Sequence, residues 1–153
     1  MEYLELGQSK LAVSRLCFGT LTMGPLQANL SLRDGRDLLL AAFGAGINFL
    51  DTAELYGTYP YIKEALAALP TRGGRPQSED IIIASKSYAY TYEGMAKSIA
   101  DAALAIGRKI DIFLLHEQPS RLTLKGHAAA LRCLIDAKRA GELKAIGVST
   151  HHI

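Results

Sequence analysis

Short apolar runs that end in a polar residue recur along this chain at nearly constant spacing, and this regularity restricts the fold more than any other feature. The five runs are RLCFGT (15–20), INFLD (47–51), DIIIAS (80–85), DIFLLH (111–116) and KAIGVS (144–149). The residues at their ends, or directly after the end in the case of Lys86, are separated by 31, 35, 30 and 33 residues: Thr20, Asp51, Lys86, His116 and Ser149. One strand, one helix and their connections need about that length. The spacing predicts repeated strand–helix units in a single domain, residues 1–153.

The five runs are continuously apolar and do not alternate with polar residues, which is typical of strands that are covered on both faces in a parallel sheet. The segments between them have the apolar spacing and the Ser, Thr and Gly boundaries of helices. These helices are predicted over residues 31–46, 61–69, 91–107 and 127–141. A hairpin is predicted before them, with strands at 1–6 and 10–14 and a turn at 7–9. The predicted fold class is therefore α/β, with an N-terminal hairpin, five parallel strands and four helices.

Composition and charge bear on partners and location. The net charge is +2 without any basic block, which disfavours nucleic acid as a partner. No apolar run reaches the roughly 18 residues of a membrane span, and MEYLELGQSK lacks the features of a secretion signal, so we expect no membrane partner and a cytoplasmic protein. Cys17 and Cys133 lie in apolar surroundings without a CxxC motif, which predicts buried, reduced thiols. Adjacent His151 and His152 do not converge on one ion, so no metal site is expected.

Ligands of parallel strand–helix sheets bind beyond the carboxyl ends of the strands. Asp51, Lys86 and His116 follow consecutive strands, and Tyr56 comes five residues after Asp51. Taken singly, each residue has an ordinary structural explanation, such as a cap, a packed aromatic ring or a solvated strand end. Together they form a set that can protonate a carbonyl oxygen: a phenol as acid, an ammonium that stabilises its phenolate, a carboxylate that holds the ammonium, and an imidazole that orients the substrate. The sequence therefore predicts a candidate active site at these strand ends.

Several motifs resemble those of the aldo-keto reductases. They are LCFGT (16–20), DTAELYG (51–57), ASKS (84–87), FLLHE (113–117) and GVST (147–150), and they occur in the family's order. The resemblance implies a TIM-type (β/α)8 barrel that uses NADP(H) to reduce a small aldehyde or ketone, or to oxidise an alcohol. It implies a catalytic tetrad of Asp51, Tyr56, Lys86 and His116, with Tyr56 as the proton donor. It also implies a cofactor-binding set, which consists of Gly19, Thr20, Asp51, Ser149 and Thr150; position 150 holds asparagine in many members.

A closed barrel takes eight units and about 250 residues, whereas this chain supplies four units and a fifth strand. We therefore expect the N-terminal portion of a barrel. It is either a truncated form of a full reductase, a half that pairs with another half-barrel, or a flattened flavodoxin-like sheet. Unpaired sheet edges would favour self-association. Two other functions stay open: a non-catalytic half-barrel that serves in binding or assembly, and a metal-dependent hydrolase that uses His116 and His151.

Overall fold

The structure is a computed structural model that describes residues 1–72 and 74–151. Within these residues the strands are β1 (Tyr3–Glu5), β2 (Ala12–Ser14), β3 (Cys17–Gly19), β4 (Phe49–Asp51), β5 (Thr71–Arg72), β6 (Arg75–Pro76), β7 (Ile82–Ser87), β8 (Ile112–Leu115) and β9 (Ala145–Val148). The α-helices are α1 (Leu32–Gly44), α2 (Tyr59–Ala67), α3 (Tyr92–Ile106), α4 (Arg121–Gly126) and α5 (Ala128–Arg139). Short 3-10 helices cover Leu21–Met23, Glu54–Tyr56 and Gln77–Asp80.

The principal sheet is parallel and has five strands in the order β3-β4-β7-β8-β9. This confirms the predicted α/β fold class, including the five parallel strands, and the antiparallel hairpin of β1 and β2 precedes them as expected. The chain separates into two compact units. The first comprises Met1–Thr52 and Tyr56–Ile83, and the second comprises Ala53–Leu55 and Ala84–Ile153.

In the first unit, β3 and β4 are paired in parallel, with Gly19 opposite Asp51. Helix α1 begins after Ser31, whose hydroxyl accepts a hydrogen bond from the Asp34 N–H at 3.1 Å. This satisfies one of the backbone donors that every helix start leaves without a partner. The core of this unit includes Leu50 of β4, whose exposed fraction is 0%.

Asn48 connects the hairpin with the strands of the first unit. Its side-chain oxygen accepts from the Ser14 N–H at 2.6 Å, and its side-chain amide donates to the Ala12 carbonyl at 3.0 Å and to the Asp80 carbonyl at 3.4 Å. Its own backbone carbonyl accepts from the Ile82 N–H at 2.7 Å, at the start of β7. One side chain therefore fixes the hairpin at the entrance to β4.

In the second unit, β7, β8 and β9 are paired in parallel, with Lys86 opposite Leu114 and Leu114 opposite Gly147. Every residue of β7 is buried, whereas the residues of β9 are half-buried or exposed. Helix α3 begins after Thr91, which caps the Gly94 N–H, and ends at Gly107 in the left-handed conformation. These are the boundaries that the sequence predicts for this helix.

Several details differ from expectation, among them the short antiparallel pair of β5 and β6, which the sequence did not predict. The short helix α4 was not predicted, because RLTLKG has no apolar periodicity; it is capped by Ser120, whose hydroxyl accepts from the Thr123 N–H at 3.1 Å. Cys17 is exposed, not buried, because β3 is short and mostly accessible. Cys133 is buried as predicted, and burial raises the pKa of its thiol, with the nearby carboxylates of Asp136 and Glu142 adding to the effect.

Candidate active site

Asp51 and Tyr56 belong to the first unit. Asp51 is the last residue of β4 and is half-buried, and its carbonyl accepts from the Thr20 N–H at 2.9 Å. Tyr56 ends the 3-10 helix Glu54–Tyr56 and is also half-buried. Gly57 then turns the chain with a φ of 65°, which favours glycine. The apolar run ends at Asp51 because β4 ends there. The turn that follows carries the chain directly to Tyr56.

A row of three buried threonine hydroxyls lies beside this turn. The Thr58 Oγ1 is 2.9 Å from the Thr20 Oγ1 and 2.8 Å from the Thr52 Oγ1, and the Thr20 hydroxyl donates to the Asp51 carbonyl at 3.1 Å. All three residues have an exposed fraction of 0%. The predicted cofactor residue Thr20 therefore has its hydroxyl engaged inside the unit. Neighbouring Gly19 is exposed, with no atom within 4 Å of the place where a Cβ would lie.

Lys86 and His116 belong to the second unit, and both are 4% exposed. Lysine is almost never buried to this extent unless its ammonium is paired. His116 directly follows β8, and its backbone N–H donates to the Ser87 carbonyl at 3.0 Å. Its ring is stacked on Tyr88, with 4.3 Å between the ring centroids. The two predicted catalytic residues of this unit are therefore buried near the ends of neighbouring strands.

Glu54 and Ser87 form a second set of contacts that the sequence did not predict. The carboxylate of Glu54 accepts from the Ser87 hydroxyl at 2.6 Å and from the Ser98 hydroxyl on α3 at 3.0 Å. The Ser87 hydroxyl in turn accepts from the Ala89 N–H at 3.0 Å. Charge-assisted hydrogen bonds of this kind are about twice as strong as neutral ones. They fix the residue that follows Lys86.

Glu117 connects the ends of β8 and β9. Its N–H donates to the Ser149 hydroxyl at 2.9 Å, and the N–H of the next residue, Gln118, donates to the Ser149 carbonyl at 2.7 Å. A hydrogen bond from Tyr88 lowers the pKa of the Glu117 carboxyl, and the charges of His116 and His151 act in the same direction. Glu117 has a φ of 48°, an uncommon backbone conformation for a residue with a side chain.

The Ser149 hydroxyl accepts one hydrogen bond and still carries a proton to donate. That proton suits a carbonyl acceptor such as a carboxamide, and the cofactor role of Ser149 stays a prediction. Thr150 is exposed beside it.

The comparison with known families decides the ancestry of this arrangement. The sequence model of the Aldo/keto reductase family matches residues 15–153. The chain belongs to this family. It is similar to the 6-dehydroglucose reductase of Novosphingobium aromaticivorans, with 29% identity over 96% of this chain and 51% of that protein. The chain therefore spans about half the length of this aldo/keto reductase relative.

Solved structures give the same result for the fold. A putative aldo-keto reductase from Pseudomonas aeruginosa, PA4992, has 25% identity and a TM-score of 0.81, over 97% of this chain and 60% of that one. The holo form of the aldo-keto reductase AKR11C1 from Bacillus halodurans has a TM-score of 0.78 over 99% of this chain and 51% of that one, at 22% identity. The second likeness concerns the fold alone. The five-stranded sheet is thus about half of a TIM barrel, as predicted.

Two features of the described residues concern metal and membrane binding. Across residues 1–72 and 74–151, no three His, Cys, Asp or Glu side chains are grouped in a way that could hold a metal ion. His151, which the hydrolase hypothesis requires, lies 3.3 Å from the Glu117 carboxylate; His152 is outside the described part of the chain. None of the helices in that part is both long and apolar enough to cross a membrane.

Proposed function

We propose that this chain carries the catalytic tetrad of an NADPH-dependent reductase of aldehydes or ketones, with Tyr56 as the proton donor. Family membership over residues 15–153 supports the proposal, since all four residues lie in that range within matching motifs. The observation on which it depends most is the burial of Lys86, which is 4% exposed in a strand whose residues are all buried. A fold does not keep an ammonium in such a place without a partner or a task for it.

Each residue of the tetrad has a distinct role in this proposal. Tyr56 donates its phenolic proton to the carbonyl oxygen of the substrate, which becomes the hydroxyl of the alcohol product. The Lys86 ammonium stabilises the phenolate that remains, and the Asp51 carboxylate stabilises the ammonium. A ring N–H of His116 donates to the same carbonyl oxygen and orients it.

The cofactor-binding residues of the proposal are Gly19, Thr20, Asp51, Ser149 and Thr150. Two observations support this set, each within its own unit: the open space beside Gly19 in the first unit, and the Ser149 hydroxyl with its available proton in the second. NADPH, when bound, supplies the hydride that reduces the carbonyl carbon. Tyr88, which is 41% exposed and stacked on His116, would form part of the wall for the substrate.

The test is NADPH consumption with a panel of small aldehydes and ketones. Tyr56→Phe should lower kcat by at least about 100-fold, the usual contribution of a positioned general acid. Tyr90→Phe is the matched control, because Tyr90 is 66% exposed and lies outside the proposed tetrad, and its turnover should stay near that of the wild type. Equal turnover by the wild type and Tyr56→Phe would exclude Tyr56 as the acid.

The accessible strand β9 favours a second candidate, a non-catalytic half-barrel that serves in binding or assembly. Calorimetric titration with NADPH separates the candidates: binding followed by carbonyl reduction supports the reductase. Absence of binding at millimolar NADPH supports the module. In that second function we propose self-association through the sheet edges, in a cytoplasmic setting.

A further inference from the structure

We propose that Thr58 is a positioning residue for the proton donor: through a chain of buried hydroxyls it fixes the turn that carries Tyr56 to the ends of β3 and β4. The inference rests on the proposed role of Tyr56 and adds to it a residue outside the tetrad. Thr58, Tyr56, Thr52 and Thr20 all lie in the first compact unit.

The direction of the hydrogen bonds in this chain can be deduced. The Thr20 hydroxyl donates to the Asp51 carbonyl, which can only accept. Since a hydroxyl has one proton, the contact of 2.9 Å between Thr20 and Thr58 must be donated by Thr58. The contact of 2.8 Å between Thr58 and Thr52 must then be donated by Thr52. The protons therefore point one way, from Thr52 through Thr58 and Thr20 to the backbone of Asp51.

Thr58 is the middle member, and its hydroxyl serves two partners. Removing it takes away one hydrogen-bond partner of Thr52 and one of Thr20. All three side chains have an exposed fraction of 0%, so water does not replace the lost partners without a change in packing. A buried polar group that loses its hydrogen bond carries a full desolvation penalty. We therefore expect the turn to relax when the Thr58 hydroxyl is removed.

A close contact with the loop after β3 connects Thr58 with the backbone of Tyr56. A Cβ at Gly24 would lie 2.5 Å from the Thr58 Cγ2 and 2.7 Å from the Tyr56 carbonyl oxygen. The loop after β3 therefore touches both residues directly, and only glycine leaves room for them. Pro25 of the same loop packs on Gly57, the residue after Tyr56: its Cγ lies 3.4 Å from the place where a Cβ of residue 57 would be. Thr58 and the backbone of Tyr56 thus pack against the same residue, Gly24.

The position of the tyrosine matters because a general acid works only within hydrogen-bonding reach of the atom that it protonates. A displacement of about 1 Å costs about 100-fold in rate. A loosened turn leaves the chemistry of the phenol intact but reduces the fraction of time that it spends in reach. The expected signature is a lower kcat with little change in KM.

The experiment compares Thr58→Val, Thr58→Ser and Thr22→Val. Valine has the shape of threonine without its hydroxyl, serine restores the hydroxyl without the methyl group, and Thr22 is an exposed threonine of the loop after β3 that serves as the matched control. Two quantities are measured: kcat and KM for carbonyl reduction, and amide hydrogen exchange at residues 54–58 relative to the rest of the chain. Thr58→Val should lower kcat about tenfold or more and accelerate exchange at the turn. Thr58→Ser and Thr22→Val should resemble the wild type.

Unchanged kcat and unchanged exchange in Thr58→Val would overturn the proposal. So would a Thr58→Ser variant as impaired as Thr58→Val, since the methyl group and not the hydroxyl would then be responsible. If Thr58→Val does not fold, Thr52→Val tests the same chain at its donor end and should show the same effects in weaker form; wild-type behaviour would overturn the proposal. If the wild type does not reduce carbonyls, the proposed function fails, and hydrogen exchange alone then decides whether the Thr58 hydroxyl fixes the turn.

Discussion

Asp111 is a buried charged residue whose carboxylate is paired on both sides. It is 3% exposed, and its two carboxylate oxygens contact Arg108 at 2.9 Å and Lys144 at 2.7 Å. Its backbone carbonyl also accepts from the Lys144 N–H at 2.8 Å. The residue therefore ties the segment before β8 to the segment before β9, and its charge is compensated on both sides.

Asp111→Asn should lower the free energy of unfolding by about 2 kcal/mol, the usual cost of losing a hydrogen-bonded charge whose partners can still reach water. Urea denaturation measures this. Asp101→Asn is the control, because Asp101 pairs with Lys97 on the exposed face of α3, and the loss there should stay below about 0.5 kcal/mol. Equal losses in the two variants would contradict the account of Asp111.

The sequence identified the residues with chemistry better than the residues that support them. Asp51, Lys86 and His116 were recognised because they follow apolar runs, and the structure places each within one residue of a strand end. Whether they act together with Tyr56 stays a prediction. Thr52, Thr58 and Glu54 were missed, because hydrogen bonds between residues far apart in sequence leave no periodic pattern. For the two threonines the only available signal was their place in the sequence, Thr52 within DTAELYG and Thr58 directly after it.

Among the elements, α3 has the most clearly defined ends. Gly107 terminates it with a φ of 87°, and its N–H donates to the Ala103 carbonyl. A residue with a Cβ is strained in that conformation, even though no atom lies within 4 Å of the place where the Cβ would be.

Gly107→Ala should therefore destabilise the chain by about 1 kcal/mol through the backbone alone. Gly126→Ala is the matched control: Gly126 ends α4, also has open space around its missing Cβ, and has no positive φ. Thermal unfolding of the two variants should show a lower Tm for Gly107→Ala only. A comparable fall for Gly126→Ala would mean that the loss of a glycine, not the left-handed conformation, is responsible.

The predictability of an element followed its length and its boundary residues. Helix α3 was predicted nearly to the residue because a threonine cap and a glycine stop flank an apolar stripe. Helix α4 has six residues and no stripe, so its serine cap was too weak a signal by itself. Cys17 was misjudged because LCF is as apolar as the inner strands, and apolarity alone does not distinguish a short accessible strand from a covered one.

At the scale of the whole molecule, the sheet has β3 and β9 as its two outer strands within the described residues. The residues of β9 are half-buried or exposed, and Val148 is 46% exposed. Outer strands present a row of backbone donors and acceptors on which another strand can pair. The spacing of the apolar runs predicted the repeated units, but it gave no information about what pairs with β9.

The proposed self-association should appear in sedimentation velocity as a mass that rises with concentration. Val148→Lys should reduce it, because a charged side chain on an outer strand opposes pairing. Leu104→Lys is the control, since Leu104 is 80% exposed on α3 and lies outside the sheet. A constant monomer mass at all concentrations, or equal effects of both lysines, would contradict pairing through β9.

The contacts of Asn48 limit what evolution can place at that position. Its side chain offers an acceptor to one backbone amide and two donors to two backbone carbonyls, at a single point where the hairpin joins the strands. Aspartate has the same size but offers acceptors only, leucine offers neither, and glutamine places its amide one methylene too far away. Substitution at position 48 is therefore restricted by the geometry of these three hydrogen bonds, independently of any requirement of catalysis.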